Sequence, residues 1–135
     1  MITGKLPALP DIYFTVVDVR DIAKLHVQSL RNIESDGKRI IATSQKGISF
    51  LGISKVLRDL GFNKSPKSLV PNQVINSLAI FNRDMKITSY MIKRGCYNAD
   101  LSETISLFGW EPILFKKTLE DMTNSLTNMN LQCNS

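Results

Sequence analysis

Apolar residues near the start of the chain recur at two different spacings, which predicts a strand followed by a helix. Residues 13–19 (YFTVVDV) are aromatic and β-branched, as is typical of a buried strand. From Ile22 to Leu30 the apolar positions lie mostly on one side of a helix. Asp21 precedes this helical pattern, and its carboxylate could accept hydrogen bonds from the free amides of the first turn. We therefore predict that Asp21 is the N-cap of the helix.

A second strand is predicted at residues 38–44 (KRIIATS). Its centre, Ile40-Ile41-Ala42, is apolar on both faces, which suits an interior strand of a parallel sheet better than an exposed edge. A strand, a helix and a parallel strand in series form a right-handed crossover unit. The pattern predicts an α/β fold.

Helices dominate the rest of the prediction. Apolar residues at helical spacing predict helices at residues 49–60, 72–81, 85–93, 102–108 and 115–126, with one further short strand at 97–99. Gly61 and Gly95 are predicted to end the helices at 49–60 and 85–93. Asp100 or Ser102 can cap the helix at 102–108. We expect one domain over residues 1–126, helix-rich with two or three short strands, and a frayed polar tail over residues 127–135.

Composition narrows the class of protein. The 135 residues suffice for one domain, and no apolar run has the length of a signal peptide or a membrane span, so we expect a cytoplasmic protein without a membrane partner. Cys96 and Cys133 are expected to be free thiols. One histidine and two distant cysteines form no metal-ligand cluster. The net charge of +5 is spread over isolated basic pairs, which argues against nucleic acid as the partner.

Three conspicuous side chains have structural explanations that we prefer to functional ones. A helix cap accounts for the type and position of Asp21 without a catalytic role. His26 would be the default general base of an unknown enzyme, but its mid-helix position favours a structural or surface role. Trp110, after the Gly109 turn, is expected to be a packing residue.

Three stretches in order resemble the C-terminal part of extended short-chain dehydrogenases/reductases, and most closely the dihydroflavonol reductase and nucleoside-diphosphate-sugar epimerase group. They are residues 14–30 (FTVVDVRDIAKLHVQSL), 37–44 (GKRIIATS) and 97–112 (YNADLSETISLFGWEP). The resemblance covers nearly the whole chain. It implies the substrate-binding portion of an NAD(P)-binding Rossmann-type reductase, with residues 38–44 as one late strand of the Rossmann sheet.

The resemblance also implies parts that this sequence lacks. The family binds NAD(P) through a glycine fingerprint and uses a Tyr-x-x-x-Lys pair as acid/base, and neither pattern occurs here. We therefore expect no catalytic residue and no cofactor-binding residue in this chain, which would be truncated before Met1 relative to the family. The expected partners are a missing N-terminal Rossmann half or a second copy of the chain, because an unpaired sheet strand exposes backbone edges and apolar faces.

The resemblance implies three substrate-binding residues. Pro10 and Tyr13 lie where the family's substrate-pocket wall enters the C-terminal domain. Arg94 corresponds to an arginine that can contact a substrate diphosphate, although its spacing to Asp100 is shorter than in the family. Glu103 stands where the family often has lysine, which reverses a charge.

Two functions from different classes follow. The first is a fragment of an NAD(P)-dependent oxidoreductase or epimerase that supplies contacts to a carbonyl or sugar-nucleotide substrate and is inactive alone. The alternative is a stand-alone, small basic module that binds a protein or a nucleic acid.

Overall fold

The computed structural model describes residue 1 and residues 4–133, and the side chains of these up to residue 128. In this part of the chain the fold is α/β and helix-rich, with six helices and a two-stranded sheet, as the pattern predicted. The elements in chain order are β1 Tyr13–Phe14, α1 Val19–Ser29, β2 Ile48–Ser49, α2 Phe50–Asp59, α3 Asn72–Leu78, α4 Arg83–Arg94, α5 Ser102–Phe108 and α6 Phe115–Cys133.

The sheet has a different topology from the predicted one. β1 pairs antiparallel with β2, with Tyr13 opposite Ser49 and Phe14 opposite Ile48. The strand predicted at residues 13–19 is therefore only two residues long, and the predicted parallel crossover unit is wrong. After Phe14 the chain leaves the ladder, and the amide of Val16 donates to the hydroxyl of Ser44 at 3.1 Å.

Residues 38–44 form no strand, so this prediction is wrong as well. A strand needs a neighbour that presents amides and carbonyls along its length. Among the described residues this segment instead makes isolated contacts. The amide of Ser44 donates to the carbonyl of Val16 at 2.6 Å, and the carbonyl of Ile41 accepts from the hydroxyl of Thr104 at 2.6 Å. The strand predicted at residues 97–99 is reduced to one antiparallel bridge between Asn98 and Lys46.

The chain forms two compact units. Unit 1 comprises residues 1–15 and 46–98, which include β1, β2, α2, α3 and α4. Unit 2 comprises residues 16–45 and 99–135, which include α1, α5 and α6.

Side-chain hydrogen bonds fix the helices of unit 1. Ser49 caps α2 by accepting from the amide of Gly52 at 2.9 Å. The buried hydroxyl of Ser89 on α4 donates to the side-chain carbonyl of Asn76 on α3 at 2.6 Å, which joins these two helices. The buried apolar residues of the unit are Leu9, Ile12, Leu57, Ile75 and Ala79.

The core of unit 2 forms around Leu25, Leu101 and Trp110. Val17, Ala42, Ala99 and Phe108 pack against this cluster. The packing role predicted for Trp110 is confirmed, since only 7% of the residue is exposed. Its indole Nε1 has no hydrogen-bond partner in the described part of the chain.

Most predicted helix boundaries agree with the structure to within three residues, but α6 is longer than predicted. It continues to Cys133 instead of ending at residue 126. Residues 115–133 contain neither proline nor glycine, and the hydroxyl of Thr127 donates to the carbonyl of Thr123 at 2.9 Å, so polar composition alone does not end the helix. The last two residues of the predicted tail lie outside the described residues, as does the side chain of Cys133.

Leu9 tests the core of unit 1. Leu9 is fully buried, and its backbone pairs with the chain at Leu69, where its amide donates to Ser68 and its carbonyl accepts from Val70. Leu9→Ala should lower the free energy of unfolding by about 2–5 kcal/mol in urea denaturation, because it leaves a cavity. Leu6→Ala is the matched control, since Leu6 is 44% exposed, and it should change stability by less than about 0.5 kcal/mol. Equal effects of the two substitutions would contradict the assignment of Leu9 to the core.

Candidate functional site

The N-terminus of α1 is capped by Asp18 and not by Asp21, so the predicted cap is wrong. Asp18 Oδ1 accepts from the amide of Arg20 at 2.9 Å, and the helix begins at Val19. The strand ends at Phe14, five residues before the predicted end at Val19, and the helix begins at Val19 instead of Ile22. This places Asp21 on the third helical residue, where its side chain is free for another contact.

Asp18 is also the centre of an ion-pair network within unit 2. Arg20 donates from Nε to Asp18 Oδ1 at 2.9 Å and from Nη2 to Oδ2 at 2.7 Å. The hydroxyl of Thr118 on α6 donates to the same Oδ2 at 2.7 Å. Arg20 Nη1 lies 2.8 Å from Asp121, which also pairs with Lys117 at 2.9 Å. The network joins the first turn of α1 to the first two turns of α6.

These contacts set the protonation of the acidic groups. Hydrogen bonds from Arg20 and then from Thr118 hold the pKa of Asp18 well below its usual range. Hydrogen bonds from Lys117 and then from Arg20 lower the pKa of Asp121. Asp18 is therefore a charged carboxylate whose two oxygens both accept hydrogen bonds. A general acid or base near neutral pH would instead need a pKa close to that pH.

Asp21 makes a second link to the segment that precedes α6. The residue is 2% exposed, and its Oδ2 accepts from the amide of Ile113 at 2.8 Å. Ile113 follows the Gly109–Pro112 break, which leaves its amide outside any helix. Asp21 thus positions the loop that precedes α6.

The two aspartates support one wall of a cleft in unit 2 with a volume of about 180 Å³. The lining residues are Val16, Val17, Asp18, Thr43, Ser44, Gln45, Pro112, Ile113, Leu114, Phe115 and Thr118. Drug-sized ligands usually occupy about 300–1,000 Å³, so the volume of this cleft suits a small molecule or one part of a larger one. Its walls are mainly apolar. Thr43 and Gln45 carry a hydroxyl and an amide that can orient a carbonyl or hydroxyl group.

Pro10, Tyr13 and Arg94, the predicted substrate-binding residues, all belong to unit 1 and do not line this cleft. The carbonyl of Pro10 accepts from Ile12, and Tyr13 lies in β1. The guanidinium carbon of Arg94 lies 4.4 Å from the ring centroid of Tyr97. Arg94 therefore has a cation–π partner, and its role as a diphosphate ligand stays a prediction, like the roles of Pro10 and Tyr13.

Gly47 approaches Tyr13 closely. A Cβ on Gly47 would lie 3.3 Å from Tyr13 Cβ and 3.4 Å from Cys96 Sγ, so this position has little room for a side chain. The amide of Gly47 donates to the carbonyl of Tyr97 at 3.1 Å. Unit 1 thus brings Tyr13, Cys96 and Tyr97 close to one glycine.

The remaining titratable candidates have simple environments. His26 is exposed, and its Nδ1 lies 2.8 Å from the carbonyl of Ile22, which confirms the prediction of a surface histidine. Cys96 is an exposed free thiol. Among the described residues no group of three or more His, Cys, Asp or Glu side chains could hold a metal ion, and no helix is long and apolar enough to span a membrane.

Sequence reasoning missed Thr118, Arg20 and Asp121, and it placed Asp18 near the end of the predicted strand at residues 13–19. The spacing Asp18-x-x-Asp21 around a helix start was a usable signal, because the residue at the cap and the third helical residue both lie near the free amides. The contacts to Thr118 and Ile113 span 100 and 92 residues, and no local pattern in a single sequence predicts them.

Comparisons of the chain with protein-family models, with curated proteins and with solved structures found no match.

Asp21 offers a test of the loop anchor. Asp21→Ala should lower the free energy of unfolding by about 1–3 kcal/mol, because it removes the acceptor of a buried amide. Asp21→Asn keeps one carbonyl oxygen and should have a smaller effect. Hydrogen exchange should show faster exchange at the Ile113 amide in Asp21→Ala. Unchanged exchange at Ile113 in that variant would contradict the anchor, and Asp36→Ala at an exposed turn is the control.

The lowered pKa of Asp18 predicts that the stability of the fold depends on pH. Because folding lowers the pKa of Asp18, its charge stabilises the fold above the ordinary aspartate pKa of about 3.9. That stabilisation should decrease as the pH falls from there toward the lower pKa of the folded state. Asp18→Asn can still cap α1 but carries no charge, so it should flatten the acid side of the stability profile. An unchanged acid limb in Asp18→Asn, measured by urea unfolding against Asp36→Asn, would argue against this role.

Proposed function

We propose that this chain supplies substrate-side contacts for an NAD(P)-dependent reductase or epimerase of the dihydroflavonol reductase-like group. The observation that supports this function is the convergence of the three resembling stretches on one cleft. Val16 to Asp18 come from the first stretch, Thr43 and Ser44 from the second, and Pro112 from the third. These stretches are distant in sequence, and a shared ligand-contacting wall would account for their joint presence.

The core of unit 2 supports the same proposal. Leu25 from the first stretch packs with Leu101 and Trp110 from the third, and Ala42 from the second packs against them. The resembling residues thus form a scaffold as well as a cleft wall. In the proposed role the apolar wall would hold the body of a substrate, and Thr43 or Gln45 would orient its carbonyl.

The described residues do not fit the nicotinamide cofactor itself. A dinucleotide site requires glycines in the turn between a strand and a helix, so that the backbone can approach the pyrophosphate. At the junction of β2 and α2, Ser49 is instead the residue that caps the helix, and it does so with its own hydroxyl. At the start of α1 the capping residue is Asp18, again not a glycine. We therefore assign this chain no step of hydride transfer and propose that another polypeptide segment supplies the cofactor.

The proposal predicts that substrate and cofactor behave differently toward the chain. In NMR titrations, a dihydroflavonol or a nucleoside-diphosphate sugar should shift amide signals of residues 43–45 and 113–115. Thr43→Val should weaken these shifts, and Thr88→Val, which removes a hydroxyl on α4 of unit 1, should not. Calorimetric titration with NAD⁺ and NADP⁺ should show no micromolar binding.

Each alternative outcome has a defined meaning. Micromolar binding of NAD⁺ or NADP⁺ would contradict the separation of cofactor and substrate contacts. Shifts confined to Asp11, Tyr13 and Arg94, where Asp11 reports on the neighbouring Pro10 that has no amide proton, would move the substrate contacts to unit 1 and overturn the assignment of the cleft. The absence of shifts with every ligand of both classes would contradict the proposed function.

A further inference from the structure

The turn between α3 and α4 in unit 1 exposes two adjacent large apolar side chains. Ile80 is 71% exposed and Phe81 is 91% exposed. Both lie between the end of α3 at Leu78 and the start of α4 at Arg83. Exposure of this extent at the tip of a helical pair leaves an apolar surface without a partner in the described part of the chain.

Cationic side chains border this tip. Lys86, Tyr90 and Lys93 follow helical spacing on α4 and line one shallow groove together with Ile80. Tyr90 is 68% exposed. We call Ile80, Phe81, Lys86, Tyr90 and Lys93 the α3–α4 surface. It combines an apolar tip, an aromatic side chain and two ammonium groups on one part of the molecule.

The charges of this region are strongly unbalanced. From Pro71 to Gly95 the chain has four cationic residues, Arg83, Lys86, Lys93 and Arg94, against one carboxylate, Asp84. Within the described residues, Arg83, Lys86 and Lys93 have no ion-pair partner. Unit 1 as a whole contains ten Lys and Arg against three Asp, a net charge of +7, whereas unit 2 contains seven against nine Asp and Glu, a net charge of −2. The partner of the α3–α4 surface should therefore be anionic.

We propose that the α3–α4 surface binds an anionic lipid surface, with Phe81 and Ile80 inserted below the headgroups and Lys86 and Lys93 against the lipid phosphates. Apolar and aromatic side chains beside basic ones are the arrangement of interfacial membrane contacts. A fluid lipid surface accepts a protruding side chain without a preformed pocket. Binding to the membrane surface requires no spanning helix, so the lack of an apolar run of spanning length in the sequence does not bear on it.

The charges and side-chain types disfavour the other anionic or apolar partners. A second copy of the chain would bring like charges together across the surface, which opposes association. A single-stranded nucleic acid would use aromatic platforms for stacking, whereas one of the two side chains at the tip is the aliphatic Ile80. Both partners remain as distinguishable outcomes of the experiment.

Vesicle sedimentation tests the proposal directly. The full chain should partition onto phosphatidylcholine vesicles that contain about a third phosphatidylserine, and added salt should weaken this binding. Phe81→Ser should reduce partitioning about tenfold, because it removes the largest inserted side chain. Lys86→Ala and Lys93→Ala should each reduce it about fivefold and flatten the salt dependence.

The matched control is Leu30→Ser. Leu30 is 88% exposed at the end of α1 in unit 2, beside Arg31, and its replacement should leave partitioning unchanged. Circular dichroism of each variant should match the parent chain, because all the replaced side chains in the test lie on the surface.

Four results would overturn the proposal. The first is that the chain binds vesicles of phosphatidylcholine alone as well as it binds vesicles that contain phosphatidylserine, or that it binds neither kind. The second is equal loss of binding in Leu30→Ser and Phe81→Ser. The third is tighter binding of a single-stranded oligonucleotide that depends on Lys86 and Lys93 but not on Phe81. The fourth is a dimer in gel filtration that Phe81→Ser abolishes, which would assign the surface to a second copy.

Discussion

The paired contacts of Asp18 and Asp21 with the chain around α6 are the constraint on which unit 2 depends. Asp18 accepts from Thr118, and Asp21 accepts from the amide of Ile113, so two carboxylates three residues apart fix both the loop and the helix that follows it. Both aspartates are buried, at 4% and 2% exposure, and burial of a charge is unfavourable without strong partners. Asp18 has such a partner in Arg20, whose two donating nitrogens form a bidentate pair with the carboxylate.

The cleft of unit 2 is a consequence of this constraint. Residues 112–115 form one wall because Asp21 holds the amide of Ile113, and Val16 with Val17 forms another because Ser44 bonds to Val16. Few of the wall residues belong to regular secondary structure, so side-chain contacts have to maintain their positions. The engaged state of Asp18 also limits the chemistry, because a carboxylate with a lowered pKa and four donating groups is available neither as an acid nor as a base. Binding and orientation are what this cleft can provide.

The sequence predicted helices well and sheet structure poorly, for a physical reason. Residues 50–59 carry their own helical spacing of apolar side chains and a cap at Ser49, so local information suffices for α2. A strand exists only with a partner, and the apolar run at residues 38–44 has no strand beside it in the described structure. Asp21 illustrates the same limit at the site. Its residue type suited a cap, but the position of the helix start assigned the cap to Asp18, and the contact to Ile113 is 92 residues away.

The net charge of the whole chain does not show how charge is divided between the two units. The sequence has a net charge of +5 spread over isolated basic pairs, which argues against a nucleic-acid partner. In unit 2 the acidic side chains outnumber the basic ones, and Arg20 and Lys117 are paired with Asp18 and Asp121. Unit 1 therefore carries all of the excess positive charge, and helical spacing brings Lys86 and Lys93 to one groove although seven residues separate them. Charges that are scattered in sequence can be concentrated in space, and here the concentration coincides with the most exposed aromatic side chain of the described structure, Phe81. That coincidence of cations with an exposed apolar tip is a stronger indication of an anionic amphiphilic partner than either property alone.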